Sequence, residues 1–238
     1  LPALAPLSFD GVVFLPSLEA LAPLVSKRGQ RQLLQDRGLP CPRWCDLPTS
    51  GLLPEGFNYP LMAKASTGGY DGKGTAVLRC PEDLTALLAR VPLGDWILEE
   101  FVNFEQELSQ LACRDRAGNV QCYPLVQTHQ HQQVCDWVLA PALVPHAVQA
   151  YARNIAASLL TAINYVGVIS IELFYGPGGL QVNEIAPRTH NSGHFTIEAA
   201  HTSQFEQQVR LVSGLPMGSV ELQVPGALMV NLLGFESS

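Results

Sequence analysis

Leucines recur at helical spacing across residues 17–38 and stop at Arg37-Gly38 ahead of Pro40, so one or two helices open the chain and an extended stretch follows. Short apolar runs then take over. "YPLMAKA" and "TAVLRC" flank a glycine-rich segment and "DWILEEFV" covers residues 95–102, and all three read as strands. Between the last two, "PEDLTALLARV" has proline in its first turn, acids beside it and leucines at helical spacing, which predicts a helix. "EQELSQLACR" and "VQCYPLVQT" form a hairpin around "DRAGN", where Gly118 and Asn119 tolerate positive φ. An amphipathic helix follows at 145–164, its apolar face formed by Ala147, Val148, Tyr151, Ile155, Leu159 and Ile163. Two strands joined at "GPGG" come next, then a helix over 196–212 closed by Gly214 and Pro216, and a strand-like "ALMVNLLG". The pattern is α+β, dominated by antiparallel strands, with two or more lobes.

Composition narrows this little. The chain has 238 residues, long enough for one or two domains, and 47% of them are hydrophobic. No apolar run reaches the roughly 18 residues of a membrane helix, and the first residues lack the basic start of a signal peptide, so a cytoplasmic protein without membrane contact is expected. A net charge of −7 argues against a general nucleic-acid surface. Six cysteines, at 41, 45, 80, 113, 122 and 135, show neither a CxxC pair nor zinc-ligand spacing. They read as free, mostly buried thiols, with Cys113 and Cys122 as potential cross-strand neighbours.

Candidate chemistry changes the picture more. "TGGYDGKG" (67–74) is not a P-loop, because Lys73 is followed by Gly74 instead of the Ser or Thr that would hold magnesium. It can still bring backbone N–H groups to an anion. In "ISIELFYGPGGLQVNEI", Glu172 and Glu184 lie on adjoining strands among apolar residues, where carboxylates are costly unless paired or bound to a cation. If the turn at 176–179 sets the register, both acids share a face and, with the Asn183 amide, make a hard oxygen cluster suited to magnesium. Salt-bridged or solvent-facing glutamates are the plainer alternative. Lys64, in a strand, calls for an anionic partner unless it snorkels to the surface. "IAPRTHNSGHFTIEA" then gathers Arg188, His190, Asn191, Ser192 and His194 at the start of a predicted helix, a donor set for a small oxyanion, with Asn191 or Ser192 as possible caps.

Together, the lysine-bearing strand, "GGYDGKG", "EEFV", the acid pair and "NEIAPRTHNSGH" closely resemble the 5-(carboxyamino)imidazole ribonucleotide synthase family of ATP-grasp enzymes in purine biosynthesis, over about residues 13–234. The resemblance implies two α+β lobes sandwiching ATP, with an N-terminal nucleotide-fold domain and a C-terminal small domain largely absent from this chain. Its implied division is 1–25 as a remnant of the first domain and linker, 26–102 as the small lobe, 103–220 as the large lobe and 221–238 as the start of a C-terminal region. The implied activity is carboxylation of aminoimidazole ribonucleotide by bicarbonate, driven by ATP with Mg2+, in a homodimer.

Carried over by residue, the resemblance makes Lys27 and Lys64 phosphate contacts, and Gly68, Gly69, Tyr70, Asp71, Gly72, Lys73 and Gly74 the loop over the phosphates. It makes Glu99, Glu100, Phe101 and Val102 the linker whose backbone reads adenine, Glu107 the ribose ligand, and Glu172 and Glu184, with Asn183, the magnesium ligands. Tyr70, Asp71, Arg188, His190, Asn191 and Ser192 face bicarbonate and the ribonucleotide, with Asp71, Arg188, His190 and Asn191 catalytic. A further histidine at the ATP site is expected at His129 or His131, within "QTHQHQQ". The competing readings are a formate-using ATP-grasp transformylase, which "HNSGH" argues against, and an ATP-binding fragment that does not catalyse.

Overall fold

A computed structural model of the chain describes residues 1–68, 74–92, 94–131 and 134–232. Three helices come first, α1 (Ala5–Phe9), α2 (Leu18–Leu21) and α3 (Lys27–Asp36), the last capped by the Ser26 hydroxyl on the Gly29 N–H. A four-stranded antiparallel sheet follows, ordered β1 (Trp44–Asp46), β4 (Trp96–Glu100), β2 (Leu61–Ala65), β3 (Thr75–Leu78), with α4 (Pro81–Leu88) on one face. Period-two alternation decides what each face carries. Leu61, Ala63 and Leu98 pack with Leu84 and Leu87 of α4, while Met62, Lys64 and Glu99 point the other way.

The larger sheet has seven strands. β10 (Gly179–Ala186), β9 (Gly167–Gly176), β5 (Gln106–Arg114), β7 (Val126–His131), β8 (Val134–Ala140) and β11 (Ala227–Val230) lie in that order, with β6 (Val120–Cys122) beside β5. Residues 227–230 are thus the edge strand of this sheet, paired with β8. α5 (His146–Ala162), α2 and α3 cover one face over Leu108, Ile169, Ile171, Leu173 and Val182. α6 (Thr196–Ala199) and α7 (Gln204–Val212) cover part of the other, over Leu111, Val168, Val126 and Val138. The uncovered part of that second face looks toward the small sheet.

Four local expectations change. The strand expected over 120–128 breaks at Tyr123–Leu125, around Pro124, which cannot donate to a ladder. The buried stripe of α5 is Ala152, Ile155, Ala156, Leu159 and Leu160, while Ala147 and Tyr151 are exposed; two alanines let the helix sit close to the sheet where a tyrosine would hold it off. The helix expected over 196–212 is interrupted, because Ala200 turns extended and bridges Leu222 before Ser203 caps a new start. Cys113 faces Gln121 and Cys122 faces Ala112, so the two thiols lie on opposite faces; all six cysteines are unpaired, two of them buried and four half-buried. Among the described residues no helix is long and apolar enough to cross a membrane.

Candidate active site

One face of β9 reads, in order, Val168 under α7, Ser170 in the interior, Glu172 half-buried on the cleft wall and Phe174 at the rim. β5 runs antiparallel beside it with Glu107 opposite Phe174 and Ser109 opposite Glu172. Two neighbouring strands therefore grade from core to cleft along their length. The hairpin partner β10 pairs regularly from Gly179↔Gly176 to Val182↔Leu173, then inserts Asn183, so that Glu184 and not Asn183 stands opposite Glu172. This β-bulge presents two consecutive side chains, Asn183 and Glu184, on the cleft side.

The cleft, about 730 Å³, lies between the two sheets. Met62, Lys64, Thr75 and Val77 form one wall, residues 99–102 the back, and Glu107, Thr128, Glu172, Phe174, Asn183 and Glu184 the other wall, with Arg188, His190 and Asn191 at one end. Phe104 stacks on Phe174 at 4.4 Å between centroids, an apolar platform beside the 99–102 segment. Lys27, in the first turn of α3, pairs with Glu184. Lys64 Nζ lies 2.9 Å from Glu99 and 3.1 Å from the Asn183 amide oxygen, and the Asn183 amide nitrogen donates to Glu172 at 3.3 Å.

Most of the expected site residues thus meet in one place. Lys27, Lys64, Glu99, Glu100, Phe101, Val102, Glu107, Glu172, Asn183, Glu184, Arg188, His190 and Asn191 all line the cleft. Gly68 lines a smaller cavity next to it with Lys27 and Arg188, and Gly74 accepts from the Ala65 N–H. Gly69, Tyr70, Asp71, Gly72 and Lys73 lie outside the described residues.

Several placements differ from expectation. Lys64 does not snorkel; its anionic partner is Glu99, whose side chain is buried and turned away from a purely backbone role. Ser192 does not face the cleft: it is 2% exposed, with its hydroxyl 2.7 Å from Ser109, 3.2 Å from Ser170 and 2.9 Å from His190 Nδ1. The turn at 191–193 is capped by the His190 ring and not by Asn191 or Ser192, and the helix after it has only four residues. Neither His129 nor His131 lines the cleft; strand alternation gives that face to Thr128 and Gln130, while His129 stacks on Trp137.

Residues missed in the sequence complete the site. Arg31 is buried and bonds Glu99 through Nε at 2.7 Å and the Asn183 carbonyl through Nη2 at 2.7 Å. It stands one helical turn after Lys27, and two cations at i,i+4 in a leucine-rich helix were the available signal. Phe104, Phe174, Ser109, Ser170 and Gln30 carried none, since each reads as ordinary strand or helix filling.

Residues 32–205 match the ATP-grasp domain family. The chain belongs to the ATP-grasp family. It is 49% identical, over 99% of its length, to the N5-carboxyaminoimidazole ribonucleotide synthase of Synechococcus elongatus. Among solved structures it is 29% identical to the Aspergillus clavatus carboxyaminoimidazole ribonucleotide synthase complexed with ATP, with a TM-score of 0.88 over 95% of this chain. The same fungal enzyme in complex with ADP and 5-aminoimidazole ribonucleotide gives a TM-score of 0.86 at 28% identity, again over 95% of this chain. The chain spans about 60% of the length of these relatives, namely 60%, 61% and 61% in turn.

In this ATP-grasp cleft the charges are tuned by burial and by one another. Burial, then the Glu184 and Glu107 carboxylates, push Glu172 up to about 7, against the pull of Lys27 and Lys64. Burial also raises Glu107, which His129 counteracts. Burial pushes the Lys64 ammonium down, against the pull of Glu99. For Glu99 burial works upward, but Arg31 and Lys64 outweigh it and hold the carboxyl below its ordinary value. His190 is pushed down to about 4 by burial and then by Arg188, so its ring is neutral near pH 7. Three acids on one wall, with Glu172 and Glu107 raised by burial, are an arrangement that a divalent cation relieves, and carboxylate and amide oxygens are the donors magnesium prefers.

Proposed function

We propose that this chain carries out, within its full protein, ATP-dependent carboxylation of 5-aminoimidazole ribonucleotide by bicarbonate, giving 5-(carboxyamino)imidazole ribonucleotide, ADP and phosphate, in the cytoplasm and as a homodimer. One observation carries the reading. The carboxylate pair Glu172 and Glu184, the ammonium groups of Lys27 and Lys64, and the donors Arg188, His190 and Asn191 share a single cleft.

The roles follow from the chemistry. Residues 99–102 and the Phe104–Phe174 platform hold the base, and Glu107 holds the ribose hydroxyls. Lys27 and Lys64 meet the phosphates, with the Gly68–Gly74 segment as their cover. Glu172 and Glu184, with the Asn183 oxygen, hold magnesium, which when bound neutralises phosphate charge. A bicarbonate oxygen attacks the γ-phosphorus and ADP leaves; the exocyclic amine of the ribonucleotide then attacks the carboxyl carbon, phosphate leaves and the nitrogen loses a proton. Arg188 and Asn191 orient the small anion, and the neutral His190 ring, with Tyr70 and Asp71, receives the acceptor amine. No protein nucleophile is needed, because phosphoryl transfer is catalysed mainly by positioning and charge neutralisation.

ADP release with magnesium, ATP and bicarbonate, measured with and without aminoimidazole ribonucleotide, tests this. Release stimulated by the ribonucleotide is expected, and Glu184→Ala should reduce it at least about 100-fold, as loss of a metal ligand and its charge does. ATP binding with no ribonucleotide-dependent release would replace the proposal with a nucleotide-binding domain that does not catalyse.

A further inference from the structure

β10 is an edge strand, and the outer side of its bulge has no strand to pair with. An edge leaves N–H and C=O groups open, and a bulge weakens the ladder further. Here α3 closes that edge with side chains. The buried Gln30 amide accepts from the Ile185 N–H at 2.9 Å and donates to the Ile185 carbonyl at 2.9 Å, reproducing the two bonds of a strand neighbour. It also donates to Leu24 at 2.9 Å, so both of its N–H groups are used. One helical position on, Arg31 donates to the carbonyl of Asn183, the inserted residue, and to both oxygens of Glu99 on the small sheet. Pro40 accepts from the Val182 N–H before the bulge. Asn183 in the bulge and the residues on either side of it, Val182 and Ile185, are thereby held from outside while the cleft side stays open.

We propose that Gln30 and Arg31 are positioning residues that hold the β10 bulge in the register placing Asn183 and Glu184 side by side on the cleft, so that α3 sets the geometry of the metal ligands without contributing one. This inference rests on the reading of Glu172 and Glu184 as ligands. Without the outer bonds the inserted residue is free to slide along the strand, and a one-residue slip carries Glu184 to the opposite face. Arg31 also ties the bulge to Glu99 and, through it, to Lys64, which couples the proposed metal ligands to the proposed phosphate contact across the two sheets.

The test is Mn2+ binding to the full protein in the presence of ADP, followed by the electron paramagnetic resonance of free Mn2+, alongside ADP affinity in EDTA. Gln30→Met keeps the volume and removes all three bonds. It should weaken Mn2+ about 10–100-fold, as loss of groups orienting a metal ligand does, while melting cooperatively and keeping metal-free ADP affinity within about twofold. If Gln30→Met does not fold, Arg31→Lys, which keeps a cation beside Glu99 and gives up the bond to Asn183, carries the same expectation for Mn2+. Folded variants at both positions that bind Mn2+ as the unchanged protein does would overturn the inference, provided Glu184→Ala loses it. Unaltered Mn2+ binding in Glu184→Ala would instead overturn the ligand reading beneath it.

Discussion

Glu172 is the residue on which the cleft's electrostatics turn. Its carboxyl is raised from 4.5 to about 7 by burial and by Glu184 and Glu107, so the metal-free fold holds that proton more tightly than the unfolded chain does. The stability this contributes is complete below about 4.5 and is lost as pH rises through about 7. In EDTA, Glu172→Gln should therefore flatten the fall in melting temperature between pH 5 and 8 and exceed the unchanged protein at pH 8 by about 1–3 kcal/mol, since each pKa unit corresponds to about 1.4 kcal/mol and the side chain keeps some contact with solvent. Calorimetric melting of both proteins across that range checks it; parallel curves would mean that Glu172 does not carry the shift. The sequence marked both acids as costly in apolar strands, but the register set by the "GPGG" turn would have put them on opposite faces, contrary to expectation. Counting back from that turn sets Asn183 opposite Glu172, and only the inserted residue brings Glu184 there.

Among the elements, the linker between the sheets depends on one glycine in that same turn. A Cβ on Gly176 would stand 3.0 Å from the Asn103 carbonyl oxygen and 3.0 Å from the Phe104 Cα, backbone atoms that cannot rotate aside. The Glu105 N–H also bonds the Tyr175 carbonyl, and Phe104 stacks on Phe174, so the end of β9 is the seat of the linker. Gly176→Ala should displace that seat and weaken ADP binding about tenfold, overpacking of this kind costing about 1–3 kcal/mol. Titration of ADP by calorimetry measures it, and an unchanged affinity would separate the linker from recognition of the base. The sequence marked this glycine as a turn residue, which it is; its second duty concerns a backbone more than seventy residues earlier and leaves no local trace. The break at Ala200 was hidden for a similar reason, since the apolar pattern of 196–212 is helical and a bridge to Leu222 overrides it.

At the scale of the whole molecule, the cleft is a gap between two independently cored sheets, and anything that spans it should stabilise both. ADP with magnesium at about 100 times its dissociation constant should add about 2.7 kcal/mol and raise the melting temperature by roughly 5–10 °C for a chain of this size, and the magnesium-dependent part of that rise should vanish in Glu184→Ala. A rise indifferent to magnesium would remove the metal from the site. Alternation and leucine spacing by themselves determined β2 to β5 and β9 to β11, most of the helices and the antiparallel character of the fold, because those signals act between near neighbours in the chain; they joined β6 and β7 into one strand, left β1 as an extended stretch and gave no sign of β8. The string from Asn183 to His194 and the "GGYDGKG" segment determined the family, because a site's chemistry needs particular side chains at particular spacings. Only the tertiary structure decided that Lys64 is neutralised by Glu99, that Ser192 turns inward to hold His190, that Thr128 and Gln130 take the places expected of the histidines, and that Gln30 and Arg31 grip the bulge. Each of these is a contact between residues distant in sequence, settled by which buried polar group has a partner within reach, and that is a property of the packed chain alone.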